Sequence, residues 1–191
     1  MKAHRQHILD KLSDCDGRAR AMFALLCAER LRSCCWALQA GHGAHLGACF
    51  THMDALFELL QSHQAPDPAM LRATFEEIEP IVPGGGEPLC VQAQSGVICL
   101  LGAIEAFAGR TRVTITDVVN AIVDALNNYE FFIRRRIMND TSSPTEYPLL
   151  QREIERQLAD VAFVRGLEQS DKSRVVEYRL ENLQFTVPLA V

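Results

Sequence analysis

The sequence predicts an all-α protein, a single-domain bundle of about seven helices followed by a short C-terminal β-like tail. Three observations carry that expectation. Apolar residues recur at spacings of three and four along most of the chain. Asp, Thr and Pro stand where helices should begin, and Gly stands where they should end. Of the 191 residues, 48% are hydrophobic and 23% charged, which is the make-up of a globular chain and excludes a collagen, a rod or a disordered polymer. A chain of 21.3 kDa buries enough surface to fold without a metal or a disulfide.

Residues 3–13 gather Ile8, Leu9 and Leu12 and read as a first short helix. Residues 17–40 open after Asp16, a good N-cap, and stop at Gly41. Met22, Leu25, Leu26, Cys27, Leu31, Cys34, Cys35 and Leu38 give them one wide apolar face, so they read as one long second helix. Residues 45–62 form the third, with Leu46, Cys49, Phe50, Met53, Leu56, Phe57 and Leu60 inward. Asp67 caps a shorter fourth helix with Pro68 in its first turn, and Pro80 ends it. Residues 83–86, Pro-Gly-Gly-Gly, make the clearest break in the chain.

Residues 89–108 are the most apolar segment and read as the central, nearly all-buried helix. Their length matches a membrane span, but Gln92, Gln94, Ser95 and Glu105 argue for burial inside protein. Gly96, Gly102 and Ala103 suit close helix approach, and Gly109 terminates the segment. Thr114 or Thr116 caps the sixth helix, which Asp117 favours in its first turn and which runs to about Ile137. Pro148 opens the seventh through Leu150, Ile154, Leu158, Val161 and Val164, toward Gly166. Residues 175–180 and 183–187 alternate like strands, with Glu181-Asn182 as a turn. An isolated hairpin is marginal, so this tail is expected to lie on the helical body or on a partner. Residues 1–170 are accordingly the bundle and residues 171–191 a C-terminal extension.

Four segments carry a family resemblance: Phe23–Leu31, Met53–Glu58, Leu71–Pro80 and Tyr147–Glu153. In their order and separation the chain resembles the YjaG-like family of small bacterial all-helical proteins, over roughly residues 5–168. The chain departs from the family after Glu29-Arg30-Leu31, where Arg32-Ser33-Cys34-Cys35-Trp36 stands in place of a Pro-Asn-Tyr stretch. It also lacks an acidic residue near Gln94, and the tail beyond Asp171 does not follow the family. The resemblance implies an all-helical bundle and carries over no catalytic residue, because the family has no assigned activity.

Charge and composition exclude some functions. The net charge is −5, from 19 basic and 24 acidic residues, which speaks against nucleic-acid binding, since phosphate-backbone affinity comes from clustered Lys and Arg. Arg134-Arg135-Arg136 sits near a helix C-terminus, where it complements the helix dipole. The N-terminus lacks the sustained apolar run of a signal peptide. Seven cysteines, an odd number, then read as free thiols in a cytoplasmic protein. No Glu-x-x-His motif, phosphate-binding loop or Gly-x-Ser-x-Gly elbow occurs.

Two constellations remain. All seven Cys and all six His lie within the first 99 residues, and the densest stretch holds His42, His45, Cys49 and His52, with Cys34 and Cys35 on the preceding helix. His45 and Cys49 are four apart and Cys49 and His52 three apart, so a helix puts all three on one face. Zinc or another transition metal accepts such mixed nitrogen and sulfur ligands, although the spacing matches no structural-zinc signature. Against the metal, Leu46, Phe50, Met53 and Phe57 need the same helix for the core. The second constellation is Glu29, Arg30, Asp54 and Glu58. Asp54 and Glu58 are four apart on one helix, and Glu29-Arg30 lies on its neighbour. Paired carboxylates perform acid–base work, but an inter-helix salt-bridge network is the commoner outcome.

The expectation is therefore a non-enzymatic cytoplasmic interaction protein without a cofactor, binding itself as a homodimer or binding another protein, and neither nucleic acid nor membrane. The alternative is a metal-binding enzyme or sensor built on the His/Cys cluster of the second and third predicted helices. A third reading is a redox sensor at Cys34-Cys35.

Overall fold

The computed structural model describes residues 2–42, 46–62, 64–83, 85–135, 146–167 and 172–189. Among them it is an all-helical bundle of nine α-helices with no strand: α1 (Lys2–Ser13), α2 (Gly17–Arg30), α3 (Arg32–His42), α4 (Gly47–Gln61), α5 (Pro68–Ile78), α6 (Pro88–Phe107), α7 (Ile115–Phe132), α8 (Pro148–Arg165) and α9 (Lys172–Asn182). Short 3-10 turns follow α5 and α9.

Helix starts follow their caps. The Asp16 carboxylate accepts from the Ala19 amide, and Asp67 accepts from Ala69 ahead of Pro68. At α7, Thr114 and Asp117 form a reciprocal capping box, which satisfies two amides that the helix leaves open. Gly109, with φ +66°, ends the turn after α6, a left-handed conformation that costs glycine little.

α6 is the hub. It packs along α2 and α7 and against α3. It is the one described helix long and apolar enough to cross a membrane, and 72% of that window is buried inside the bundle. Two of its own glycines sit at close approaches. A methyl group on Gly96 would lie 3.1 Å from Leu31 Cβ, and one on Gly102 would collide with Val118 of α7. Interiors packed to crystal density give such side chains little room to move.

The helix count exceeds seven for two reasons. The predicted helix 17–40 breaks at Leu31, where φ −98° and ψ 0° leave the helical path. The Arg30 carbonyl, freed by that break, accepts from the Val187 amide at 3.0 Å. The β-like tail is the second correction. Residues 172–182 are helical, and Val175, Tyr178 and Asn182 form the buried face of α9. That i, i+3, i+7 spacing belongs to a helix, and the α2 and α4 surfaces that it covers select it over the two-residue alternation of the same stretch. α7 ends at Phe132, with Ile133 as its C-cap, short of the expected end near Ile137, which itself lies outside the described residues.

Candidate functional site

α2 ends in two adjacent ionic side chains that point to different clusters. Arg30 turns inward and is fully buried. Its Nη1 donates to Asp160 Oδ2 at 2.6 Å and to Asn182 Oδ1 at 2.8 Å, and its Nη2 donates to Glu153 Oε1 at 2.8 Å. Asp160 also accepts from the Tyr178 hydroxyl at 3.0 Å and pairs with Arg156 at 3.1 Å. Gln157 Nε2 donates to Glu153 at 2.9 Å, and Asn182 Nδ2 donates to the Leu26 carbonyl. The Arg156 guanidinium lies over the Tyr178 and Phe185 rings, and Tyr178 stacks on Phe163. Two cations and two carboxylates thus balance inside the protein, joining α2, α8 and α9.

Burial opposes the charge on Arg30, but Glu153 and Asp160 outweigh it and hold the guanidinium well above its ordinary range. Burial pushes the Glu153 carboxyl up, against the pull of Arg30. Removal from water likewise raises the Tyr178 hydroxyl, and Asp160 adds to the effect. The space next to Glu153, lined also by Arg152, Phe185 and Val187, measures about 20 Å³. That admits one water and no substrate. The buried carboxylates are consumed in bonds that hold helices together.

The second cluster runs from the buried Glu29 out to the half-exposed Asp54. Glu29 and Asp54 face Arg32 and Arg179: Arg32 donates to both Asp54 oxygens at 2.9 and 3.0 Å and to Glu29 at 3.3 Å. Arg179 donates to Glu29 at 3.1 Å and to Asp54, with its guanidinium over the Phe57 ring. The Arg32 hydrogen bond, with help from Arg179 and against partial burial, holds the Asp54 carboxyl below the usual range. Here too two cations match two anions, now joining α2, α3, α4 and α9.

Of the four residues singled out as a polar cluster, Glu29 and Asp54 therefore meet, Arg30 belongs to the buried cluster, and Glu58 is exposed and joins neither. Arg32, Glu153, Arg156, Asp160, Tyr178, Arg179 and Asn182 were not anticipated. One signal for them was present. Glu153, Gln157 and Asp160 share a helical face with Leu150, Val161 and Val164, so polar residues occupy core positions of α8.

The His/Cys stretch is only partly described. The His42 side chain and all of His45 lie outside the described residues. Cys49 is buried in the core, and burial pushes its thiol up to about 11. His52 instead reaches Glu77 of α5, with Nε2 3.0 Å from Oε2. Among the described residues no group of three or more His, Cys, Asp or Glu side chains is placed to hold a metal ion. Burial pushes the Cys34 thiol up to about 12 and raises Cys35 well above its usual range. A thiol so raised is held in its protonated form, the less reactive one for redox exchange.

Compared with protein-family models, with curated proteins and with solved structures, the chain matches none, and the YjaG-like resemblance gains no support there.

Proposed function

We propose that the chain is a non-enzymatic interaction protein that works by self-association. The observation that carries this reading is the outward face of α9. Val176 and Leu180 of α9, four apart on one face, are 38% and 59% exposed, and Leu183, in the 3-10 turn that follows, is 39% exposed. The opposite side of α9 is pinned by Tyr178, Arg179 and Asn182 to the two ionic clusters. The face is thus rigidly presented, and a surface held ready loses little entropy on binding. Exposed apolar patches mark contact sites. The non-enzymatic part rests on Glu29, Asp54, Glu153 and Asp160, all engaged by guanidinium groups.

Light scattering on the full chain tests the proposal. The expected mass is twice the 21.3 kDa of one chain, falling to the single-chain value in Leu180→Glu with its helical circular dichroism intact. A native chain that stays monomeric at every concentration overturns the reading.

A further inference from the structure

We infer that the end of α7 attaches the protein reversibly to an anionic lipid surface. Phe131, Phe132 and Ile133 enter the headgroup layer, and Arg134 and Arg135 pair with lipid phosphates. The patch is on another helix than the α9 face, and the inference stands whether or not the chain self-associates. The buried residues of α7 end at Glu130, and the five residues that follow are all exposed. Phe131, Phe132 and Ile133 are 48%, 36% and 40% exposed, and the two phenylalanine rings meet edge to face with centroids 4.8 Å apart. The rings thus form one patch, with Ile133 next to them in the chain. Three consecutive large apolar side chains left in water forgo the free energy of burial.

The adjoining charges identify what covers the patch. Arg134 reaches back only loosely, with Nη1 3.7 Å from Glu130 Oε1. Arg135 has φ +55°, a left-handed conformation that few residues other than glycine adopt. Glycine would stand there at less cost, yet the position carries a guanidinium. The whole chain has a net charge of −5, so these cations are a local exception beside the apolar patch. Apolar groups bordered by cations fit a surface that is apolar within and anionic at its rim, which is a leaflet with acidic headgroups. A nucleic acid is the poorer match. Bases stack on open ring faces, but the edge-to-face contact occupies a face of one ring, and isoleucine has none to offer. Surface attachment needs no spanning helix, so the burial of α6 inside the bundle is no obstacle. A small apolar anchor beside a few cations holds a membrane weakly and reversibly. Each arginine near such a surface is worth about fivefold in affinity, and salt screens that share.

Sedimentation of the full chain with vesicles of phosphatidylserine and phosphatidylcholine, in about a 1:2 ratio, tests the inference. The chain should bind them at low salt, and several-fold less when phosphatidylserine is left out or salt is raised to about 0.5 M. Two double variants, Phe131→Ser with Phe132→Ser and Arg134→Gln with Arg135→Gln, should each lower binding about tenfold or more. All four side chains are exposed, so helical circular dichroism should be intact in both. A second measurement locates the contact. Trp36→Phe removes the single tryptophan of the chain, and adding Phe132→Trp places the fluorophore in the patch. Brominated lipid in the same vesicles should quench it. Failure of the native chain to bind the anionic vesicles overturns the inference. So does binding that either double variant retains in full, or a probe at residue 132 that brominated lipid leaves unquenched. Binding of single-stranded RNA in place of the vesicles, lost in the arginine variant, also overturns it and assigns the patch to nucleic acid.

Discussion

Arg30 and Asp160 face each other at 2.6 Å across α2 and α8, with both side chains removed from water. An unpaired charge there is costly, so each depends on the other. Arg30→Met leaves Glu153 and Asp160 with only Arg156 as cation. The unfolding free energy should fall by about 3–5 kcal/mol, seen as a lower urea midpoint at unchanged slope. A loss under about 1 kcal/mol, as for an exposed pair, would show that the cluster contributes little.

The same cluster marks what the sequence could and could not disclose. Helices α1, α5, α6 and α8 were legible because caps and period are local: Asp67-Pro68 and Pro148 announce their starts. The break at Leu31 was not, because the group that takes up the freed Arg30 carbonyl is the Val187 amide, which lies far along the chain. The tail failed for a related reason. Val175-Val176-Glu177-Tyr178 satisfies both a strand and a helix pattern, and the contacts of Tyr178 and Asn182 with the Arg30 cluster decide between them. At the site, adjacency misled. Glu29 and Arg30 are neighbours in sequence, but successive helix positions point about 100° apart, so one joins Arg32 and Arg179 and the other joins Glu153 and Asp160.

Val187 gives a direct test of the link between the tail and the break. Val187→Pro removes the amide that serves the Arg30 carbonyl. Thr186 already has φ −55° and ψ 141°, which a following proline accepts. The expected cost beyond that of Val187→Ala is about 1–3 kcal/mol, the penalty of a buried acceptor left unmet. Equal stability of the two variants would show that the bond is dispensable.

The thiols separate a packing role from a redox one. Cys27, Cys34, Cys35, Cys49 and Cys99 are buried, and Cys15 and Cys90 are half-buried. Burial raises Cys27 well above its usual range and raises Cys99 as well. A thiol reagent should therefore label Cys15 and Cys90 promptly in the native protein and reach all seven only after denaturation. Prompt labelling or reversible oxidation of Cys34 or Cys35 would reinstate the sensor reading.

Asp54 should make part of the stability depend on pH. Its carboxyl is held below the ordinary value near 3.9 by Arg32 and Arg179. The folded state thus favours the ionised form. Its contribution is fully present above about pH 4 and is lost as pH falls through the depressed folded value. The side chain is 47% exposed, so solvent screens the pair and the contribution at neutral pH is at most about 1 kcal/mol. Asp54→Asn should be less stable than the native chain at pH 7, and the gap should close as the solution is acidified below about pH 4. Salt at about 1 M should narrow the gap at neutral pH, since it shortens the reach of exposed charges. A gap that stays constant through acidification would mean that the loss in Asp54→Asn does not come from its ionisation, and that the charge of Asp54 adds nothing to the clasp on α9.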